Sequence, residues 1–256
     1  MTAAPRIPED RLITGQRMTR RAFLFAGLFD WLLFWRKRSI RIAGTRFQIV
    51  RHGEDRRHYF WVHGNERTAH DVLLAHMKTV PGRAFLVENT VRNIPVGGGL
   101  LDPNRMFSRV GAEKNLRSLN QGWTDAQVSM ALDVLDRDRD RFLALVLPQD
   151  GKLLVALHNN GPGYSVNDEV PISDAVSLND AGHPHEFMLC TMRSDFERLS
   201  KSQFNVVLQN TAPKEDDGSL SRLTAVRGIR YVNIEAGLGN SEGQQAMLDW
   251  VEKALP

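Results

Sequence analysis

Short apolar runs alternate with helical periodicity from residue 45 to the end of the chain. Apolar runs of strand length occupy residues 47–50, 59–62, 85–87, 153–157, 204–208 and 230–234. Apolar residues spaced three and four apart predict helices over residues 67–80, 124–141 and from 241 onwards. Strands that alternate with helices favour an α/β fold, and an uninterrupted apolar run is typical of a strand buried on both faces. We therefore expect a central sheet that is covered by helices on both faces.

The composition is that of a globular protein with one sizeable domain. The chain has 256 residues, of which 42% are hydrophobic. Its 33 Lys and Arg residues barely outnumber its 30 Asp and Glu residues, so the net charge is +3 and no nucleic-acid partner is expected. Cys190 is the single cysteine of the sequence, which excludes an internal disulfide and a cysteine-rich zinc site.

Residues 1–44 differ in character from the rest of the chain. An arginine pair at 20–21 precedes an apolar stretch over 22–35, which resembles the twin-arginine export signal of bacteria. The stretch is short for a membrane span, and Asp30 interrupts it; an amphipathic helix on a membrane surface fits the same pattern. We expect a signal or membrane-associated segment, and a periplasmic or membrane-associated protein, with a cytoplasmic protein as the alternative. Residues 45–256 are then the catalytic domain.

Two histidines and a glutamate have the spacing and setting of a catalytic zinc site. His63 and Glu66 follow the second apolar run, and Gly64 between them permits a tight turn that directs both side chains to one point. His158 follows a later apolar run in the same way. Two imidazoles and a carboxylate give Zn²⁺ three ligands and leave one position open for water, as in hydrolytic zinc sites. The alternative is a polar loop beside a core histidine.

Further polar residues have chemistry that suits such a site, and one of them, Glu235, lies at the end of a predicted strand. Glu235 follows the last apolar run and can act as a general base; the alternative is a carboxylate that stabilises the next turn. Asn104 and Arg105 combine an amide with a planar guanidinium, a pair that can hold a substrate carboxylate; the alternative for Arg105 is a surface ion pair. Tyr164 comes shortly after His158 and is either a substrate contact or a loop anchor.

These motifs occur in an order that resembles the zinc carboxypeptidase superfamily, especially its branch of succinylglutamate desuccinylases and aspartoacylases. The motifs are His63-Gly64-Asn65-Glu66, Asp102-Pro103-Asn104-Arg105-Met106-Phe107, Leu157-His158-Asn159 and Ile234-Glu235-Ala236. The resemblance covers about residues 60–239. It implies a mixed central sheet of eight strands, in agreement with the α/β pattern.

The same resemblance implies a set of zinc ligands and a role for Glu235. His63, Glu66 and His158 would bind one Zn²⁺ per chain. Glu235 would be the general base.

The resemblance also implies two tasks for arginine. Asn104 and Arg105 would hold the substrate carboxylate, and a further arginine would polarise the carbonyl that is attacked. Arg92 is the first candidate for the second task because it lies in the loop that leads to Asn104, and Arg109 is the second candidate.

The expected function is a zinc-dependent hydrolase that cleaves an amide bond next to a free carboxylate in a small peptide or an acyl amino acid. If the chain is exported, cell-wall peptides are the expected substrates. One alternative is a cytosolic deacylase of N-acyl amino acids, for which residues 1–44 would not direct export. Another is a non-catalytic protein that has kept the metal pocket, for which Glu235→Gln would have no effect.

Overall fold

The computed structural model describes residues 38–149, 151–211 and 215–256. The arginine pair and the apolar stretch of the expected export signal lie outside these residues. In the described part of the chain, no helix is both long enough and apolar enough to cross a membrane.

A mixed sheet of nine strands forms the centre of the described domain, one strand more than the family resemblance implies. The order across the sheet is β1-β2-β4-β3-β7-β11-β9-β10-β8, and β5 pairs with β6 in a separate hairpin. In chain order the strands are β1 (Arg38–Ile42), β2 (Thr45–His52), β3 (His58–Trp61), β4 (Gly82–Val87), β5 (Ile94–Val96), β6 (Gly99–Leu101), β7 (Leu154–Asn160), β8 (Ala175–Ser177), β9 (Phe187–Cys190), β10 (Asn205–Leu208) and β11 (Tyr231–Gly237).

Seven α-helices accompany the sheet in the described residues. They are α1 (Arg67–His76), α2 (Arg109–Leu119), α3 (Asp125–Val146), α4 (Val166–Glu169), α5 (Arg193–Leu199), α6 (Leu220–Val226) and α7 (Ser241–Ala254). A capping box at Thr124 begins α3, with the backbone amide of Gln127 donating to Thr124 Oγ1 at 3.3 Å. The cap of α7 is Asn240, whose Oδ1 accepts from the Gly243 amide at 2.9 Å.

Helices cover both faces of the sheet, as the apolar pattern predicts. Neighbouring residues of a strand point to opposite faces. On β3, Phe60 packs against Phe142 of α3 with ring centroids 6.3 Å apart, whereas Tyr59 packs against His76 of α1 with centroids 5.3 Å apart. The two helices therefore lie on opposite faces, and every residue of β3 and of β7 is buried.

Four adjacent strands of the sheet are parallel, in the order β4, β3, β7 and β11. The carboxyl ends of parallel strands meet at one edge of a sheet, where ligands bind in open α/β folds. The sheet begins at Arg38, ahead of the domain boundary expected at residue 45, because β1 pairs with β2 in an antiparallel hairpin.

Candidate active site

Three strands bring chemically active side chains to the same edge of the sheet. His63 follows β3, while His158 and Glu235 lie in β7 and β11 and are partners in the strand register. The sequence predicts that both residues come after their strands, and this is wrong, because pairing continues to Asn160 on β7 and to Gly237 on β11. The two side chains still lie near the carboxyl ends of parallel strands.

The turn between β3 and α1 places His63 beside Glu66. The Glu66 amide donates to the His63 carbonyl at 3.1 Å, and Trp61 Nε1 donates to the Glu66 carbonyl at 2.9 Å. A Cβ on Gly64 would lie 2.3 Å from the carbonyl oxygen of Asn89. The turn therefore packs against the chain that leaves β4, at a distance that only glycine permits.

His63, Glu66 and His158 form a buried group whose nitrogen and oxygen atoms all lie within 4.8 Å of one another. His63 Nδ1 is 2.7 Å from Glu66 Oε1, and His158 Nδ1 is 3.1 Å from Glu66 Oε2. The two Nδ1 atoms are 3.2 Å apart. The three side chains that the sequence singles out thus meet at one point.

Asp102 determines which nitrogen of His63 faces this group. Asp102 Oδ1 lies 2.7 Å from His63 Nε2, so in the neutral imidazole Nε2 carries the hydrogen and the lone pair of Nδ1 points at Glu66. The Asn104 amide donates to the same Asp102 oxygen at 2.8 Å and fixes the carboxylate in place. His63 Nδ1 and Glu66 Oε1, which face each other, are then both hydrogen-bond acceptors.

Positive charge on the imidazoles stabilises the negative charge of the Glu66 carboxylate in this group. Burial opposes the charged form of His63, yet its hydrogen bonds with Asp102 and Glu66 outweigh burial and raise its pKa to about 8. Burial also opposes the charged form of Glu66, but His158 and His63 lower its pKa to about 2. Within the described residues, Glu66 Oε2 accepts no hydrogen bond of suitable geometry. A buried set of two imidazoles and one carboxylate fits a divalent cation, and zinc in particular.

Glu235 is held beside the group by two asparagine side chains. Asn233 Nδ2 donates to Glu235 Oε1 at 3.0 Å, and Asn160 Nδ2 donates to Oε2 at 3.3 Å. Burial raises the pKa of Glu235, and the nearby His158 acts in the opposite direction. A carboxyl group whose pKa is moved towards neutrality is suited to accept a proton and release it again.

Arg92 lies at the rim of the site. Its Nη1 donates to Glu66 Oε1 at 3.1 Å, and its Nε donates to Asp102 Oδ2 at 3.2 Å. The side chain is 50% exposed, so it can reach a bound molecule. Arg109, the second candidate for the same task, instead lies 3.1 Å from Asp133 of α3 and is not part of the cleft wall.

Asn104 and Arg105 share a short 3₁₀ turn. Asn104 Oδ1 accepts from the Leu220 amide at 3.1 Å, which ties the turn to the start of α6. Arg105 Nη1 donates to the Asn104 carbonyl at 2.9 Å and lies 3.3 Å from Asp217 Oδ2. Because Asp217 is 48% exposed, this ion pair is weak enough to be exchanged for a carboxylate from solution.

Tyr164 lies in the loop after β7 and is anchored by its hydroxyl group. Tyr164 Oη donates to Glu169 Oε1 at 2.5 Å, and Gln209 Nε2 donates to Glu169 Oε2. The ring packs against Phe187 with centroids 5.8 Å apart. Burial and the negative charges of Glu235 and Glu169 raise the pKa of Tyr164, so the phenol keeps its proton at neutral pH.

One cleft of about 530 Å³ is lined by all of the candidates except Arg109. Its lining includes His63, Glu66, His158, Arg92, Asn104, Arg105, Tyr164 and Glu235. A second lobe shares Glu66, Arg92 and residues 159–162 with this cleft and continues to Glu186 and Leu238. The group of His63, Glu66 and His158 therefore lies where two lobes meet, and the lobes are large enough to take up a small molecule.

Sequence reasoning missed the residues that orient the site. The contact of Asp102 with His63 depends on the fold, although Asp102 belongs to a motif already identified. For the two asparagines a signal was available. Asn160 lies two positions from His158, and Asn233 lies two positions from Glu235, so alternation along a strand places each pair on one face.

Comparisons with known proteins return similarity in structure only. No protein-family model and no curated protein matches the sequence. The product-bound structure of the ectoine utilization protein EutE (DoeB) from Ruegeria pomeroyi matches at 15% identity with a TM-score of 0.43, over 82% of this chain and 60% of that chain. Succinylglutamate desuccinylase/aspartoacylase from Rhodobacter sphaeroides matches at 14% identity with a TM-score of 0.41, over 82% and 59%.

The murein-tripeptide amidase MpaA from Escherichia coli O157 matches at 14% identity with a TM-score of 0.46, over 82% of this chain and 88% of that chain. The match spans about 60% of the length of the two proteins named before it.

Proposed function

We propose that the chain is a zinc-dependent hydrolase that cleaves an amide bond next to a free carboxylate. One observation carries the proposal: His63, Glu66 and His158 meet, buried, within 4.8 Å of one another in the cleft that Glu235 also lines. A Zn²⁺ ion held by these side chains would polarise the substrate carbonyl and lower the pKa of a water molecule enough to make it a nucleophile.

Glu235 moves the proton in this reaction. Its carboxylate takes a proton from the attacking water and delivers it to the leaving nitrogen, so that the C–N bond breaks and a carboxylic acid and an amine are released. One hydrogen bond to each oxygen, from Asn233 and from Asn160, holds the carboxylate in position. Its raised pKa lets it carry the proton between the two steps.

The arginines act on the substrate. Arg105 exchanges its ion pair with Asp217 for the substrate carboxylate, and Asn104 beside it contributes a neutral amide. Arg92 donates to the carbonyl oxygen as that atom becomes negative, which is supported by its half-exposed position next to Glu66.

Metal analysis tests the ligand assignment directly. The purified protein is expected to contain about one zinc per chain. His63→Ala and His158→Ala should each remove the metal, because the remaining ligands no longer complete the site. Full metal content in both variants would rule out the assignment.

Glu235→Gln tests the step that distinguishes an enzyme from a metal-binding protein without turnover. The variant should bind zinc normally but lose roughly 10²–10⁴-fold in kcat, because an amide cannot accept the proton. Glu197→Gln, on the exposed surface of α5, is the matched control. Unchanged kcat in Glu235→Gln would favour the non-catalytic alternative.

The substrate and the location are tested separately. Arg105→Ala should raise KM for substrates with a free carboxylate and have little effect on their methyl esters, because the guanidinium no longer has an anion to hold. A panel of cell-wall peptides and N-acyl amino acids distinguishes the two substrate classes.

We propose export on the basis of residues 1–44. A reporter fused to these residues should leave the cytoplasm, and a reporter that stays in the cytoplasm favours the cytosolic deacylase.

A further inference from the structure

A separate cavity lies at the other edge of the sheet from the candidate active site. It has a volume of about 550 Å³ and is lined by four cationic side chains, those of Arg56, Arg57, Lys152 and Arg230. Among the described residues, Glu252 is the one acidic side chain in its lining. The proposed reaction gives this basic cavity no task.

The amino ends of three parallel strands bring the cations of the basic cavity together. Arg57 directly precedes β3, Lys152 comes shortly before β7, and Arg230 directly precedes β11. Backbone hydrogen bonds of 3.0 Å join these segments, one from the first residue of β3 to the Leu153 carbonyl and one from the first residue of β7 to the Arg230 carbonyl. The candidate active site lies near the carboxyl ends of the same strands, so the two sites are separate.

Two of the four cations are held in place by ion pairs. Arg57 Nε lies 3.3 Å from Glu252 Oε2, and Arg57 Nη2 donates to the Leu255 carbonyl. Arg230 donates from Nε and Nη2 to the two oxygens of the buried Asp195, at 3.0 and 2.9 Å. Both guanidinium groups are therefore fixed before any ligand arrives, as a preorganised binding site requires.

The other donors of the basic cavity have weak partners or none. Arg57 Nη1 is buried and has no hydrogen-bond partner among the described residues. Within those residues, which do not include Asp150, no carboxylate lies within 4 Å of Lys152 Nζ. Arg56 pairs with Glu54, but the two side chains are 70% and 81% exposed, so the pair contributes little. An anion with several oxygen acceptors would offset the mutual repulsion of these cations.

We infer that the basic cavity binds the phosphate group of a small soluble molecule. A phosphate group carries up to two negative charges at neutral pH and has three acceptor oxygens, which suits four cations opposed by one carboxylate. Guanidinium groups match the geometry of phosphate oxygens. The volume of about 550 Å³ falls within the range of about 300–1,000 Å³ that is typical of small-molecule sites. The inference does not depend on the proposed function.

Titration of the full chain with inorganic phosphate and with glycerol 3-phosphate tests the inference, followed by the backbone amide resonances of Gly151 and Leu153. The resonances should shift saturably with both probes, but not with glycerol. Lys152→Gln and Arg56→Gln should each raise the dissociation constant roughly threefold or more, because each removes one positive charge without breaking a buried ion pair. Wild-type affinity in both variants, or no saturable shift, overturns the inference.

Lys201→Gln is the matched control, because Lys201 is exposed and lies outside the basic cavity. It should keep the wild-type affinity for phosphate. Glu252→Gln should act in the opposite direction and lower the dissociation constant roughly twofold or more, because it removes the negative charge of the lining. Weaker binding in Glu252→Gln would contradict the assignment of the phosphate to this cavity.

Two further measurements identify where the phosphate binds and what carries it. Arg105→Ala changes the candidate active site and should leave the affinity unaltered; loss of binding there, with wild-type affinity in Lys152→Gln, would place the anion in the active-site cleft and overturn the inference. Vesicles of phosphatidylcholine and phosphatidylglycerol should bind Lys152→Gln and Arg56→Gln like the wild type. Loss of vesicle binding in both variants, with no binding of glycerol 3-phosphate by the wild type, would assign the cations to a lipid surface instead.

The inference and the proposed function fail separately. His63→Ala, which should lose zinc, is expected to bind phosphate with wild-type affinity, because His63 lies near the other end of β3. A protein that contains no zinc but binds phosphate at the basic cavity would contradict only the proposed function. A zinc-dependent hydrolase with no saturable phosphate binding would contradict only the inference.

Discussion

Asp102 determines the tautomer of His63 in the proposed metal site. With Oδ1 at 2.7 Å from His63 Nε2, it holds the ring hydrogen on Nε2 and leaves the lone pair of Nδ1 for the proposed zinc ion. In Asp102→Asn the amide can present N–H to Nε2, and the ring hydrogen then moves to Nδ1. We expect zinc affinity to fall about 10–100-fold, measured by competition with a chromophoric chelator.

The control for this substitution is Asp133→Asn, since Asp133 is exposed on α3 and lies outside the cleft. It should bind zinc like the wild type. Wild-type affinity in Asp102→Asn would show that the orientation of His63 does not depend on the carboxylate.

The sequence was sufficient to predict those residues of the site that belong to short motifs near the ends of strands. His63, Glu66, His158 and Glu235 each follow or close an apolar run, and that position brings them to one edge of the sheet. The pairing of Tyr164 with Glu169 could not be predicted in the same way, because no local pattern selects one acceptor among several in a loop. Contacts of this kind depend on how the loops pack.

At the scale of elements, the central strands were the most predictable. A strand buried on both faces is largely apolar, so the apolar first half of β7 stands out in the sequence, and the apolar residues of its neighbours β3 and β11 do so for the same reason. The edge strands β1 and β8 are only partly buried, and their mixed polarity gives no clear signal. β9 is apolar and four residues long, as are β3 and β10 apart from their first residues, so its apolar run was an available signal.

The junction of two elements supplies a second prediction, because the β3–α1 turn and the chain after β4 meet at Gly64. In Gly64→Ala the new Cβ would lie 2.3 Å from the Asn89 carbonyl oxygen, so the two segments must separate. We expect a loss of about 1–3 kcal/mol in the free energy of unfolding and a reduced zinc content, because His63 and Glu66 move with the turn. Urea denaturation and metal analysis measure the two effects.

Gly182→Ala is the matched substitution for this test. Its Cβ would meet Asp180 Oδ1 at 3.5 Å, an ordinary contact, so both stability and zinc content should stay near the wild-type values. If Gly64→Ala behaves like Gly182→Ala, the close approach at the turn does not position the proposed metal ligands.

At the scale of the whole molecule, one carboxylate of the last helix contacts both the sheet and another helix. Glu252 of α7 accepts from Tyr59 Oη of β3 at 2.7 Å, lies 3.4 Å from His76 Nε2 of α1 and lies 3.3 Å from Arg57 Nε. Burial alone would raise the pKa of Glu252, but the hydrogen bonds from His76 and Tyr59 and the charge of Arg57 outweigh it and lower the pKa below its ordinary value.

The lowered pKa of Glu252 predicts a pH-dependent contribution to stability. The folded state binds this proton less tightly than the unfolded state, so the contribution is present above the unfolded pKa of about 4.3 and is lost as the pH falls through the folded pKa. Glu252→Gln should therefore lower the free energy of unfolding at pH 7 by about 1 kcal/mol, and the difference from wild type should shrink in acid.

Urea unfolding of the wild type and of Glu252→Gln at pH 7, 5 and 3.5 measures the difference in their free energies of unfolding. Glu242→Gln changes a glutamate at the exposed start of the same helix and should leave the pH profile unaltered. If the difference in free energy of unfolding between wild type and Glu252→Gln stays constant down to pH 3.5, Glu252 stabilises the domain through side-chain packing rather than through its charge. A difference confined to higher pH means that the ionised carboxylate of Glu252 stabilises the packing of α7 on the sheet.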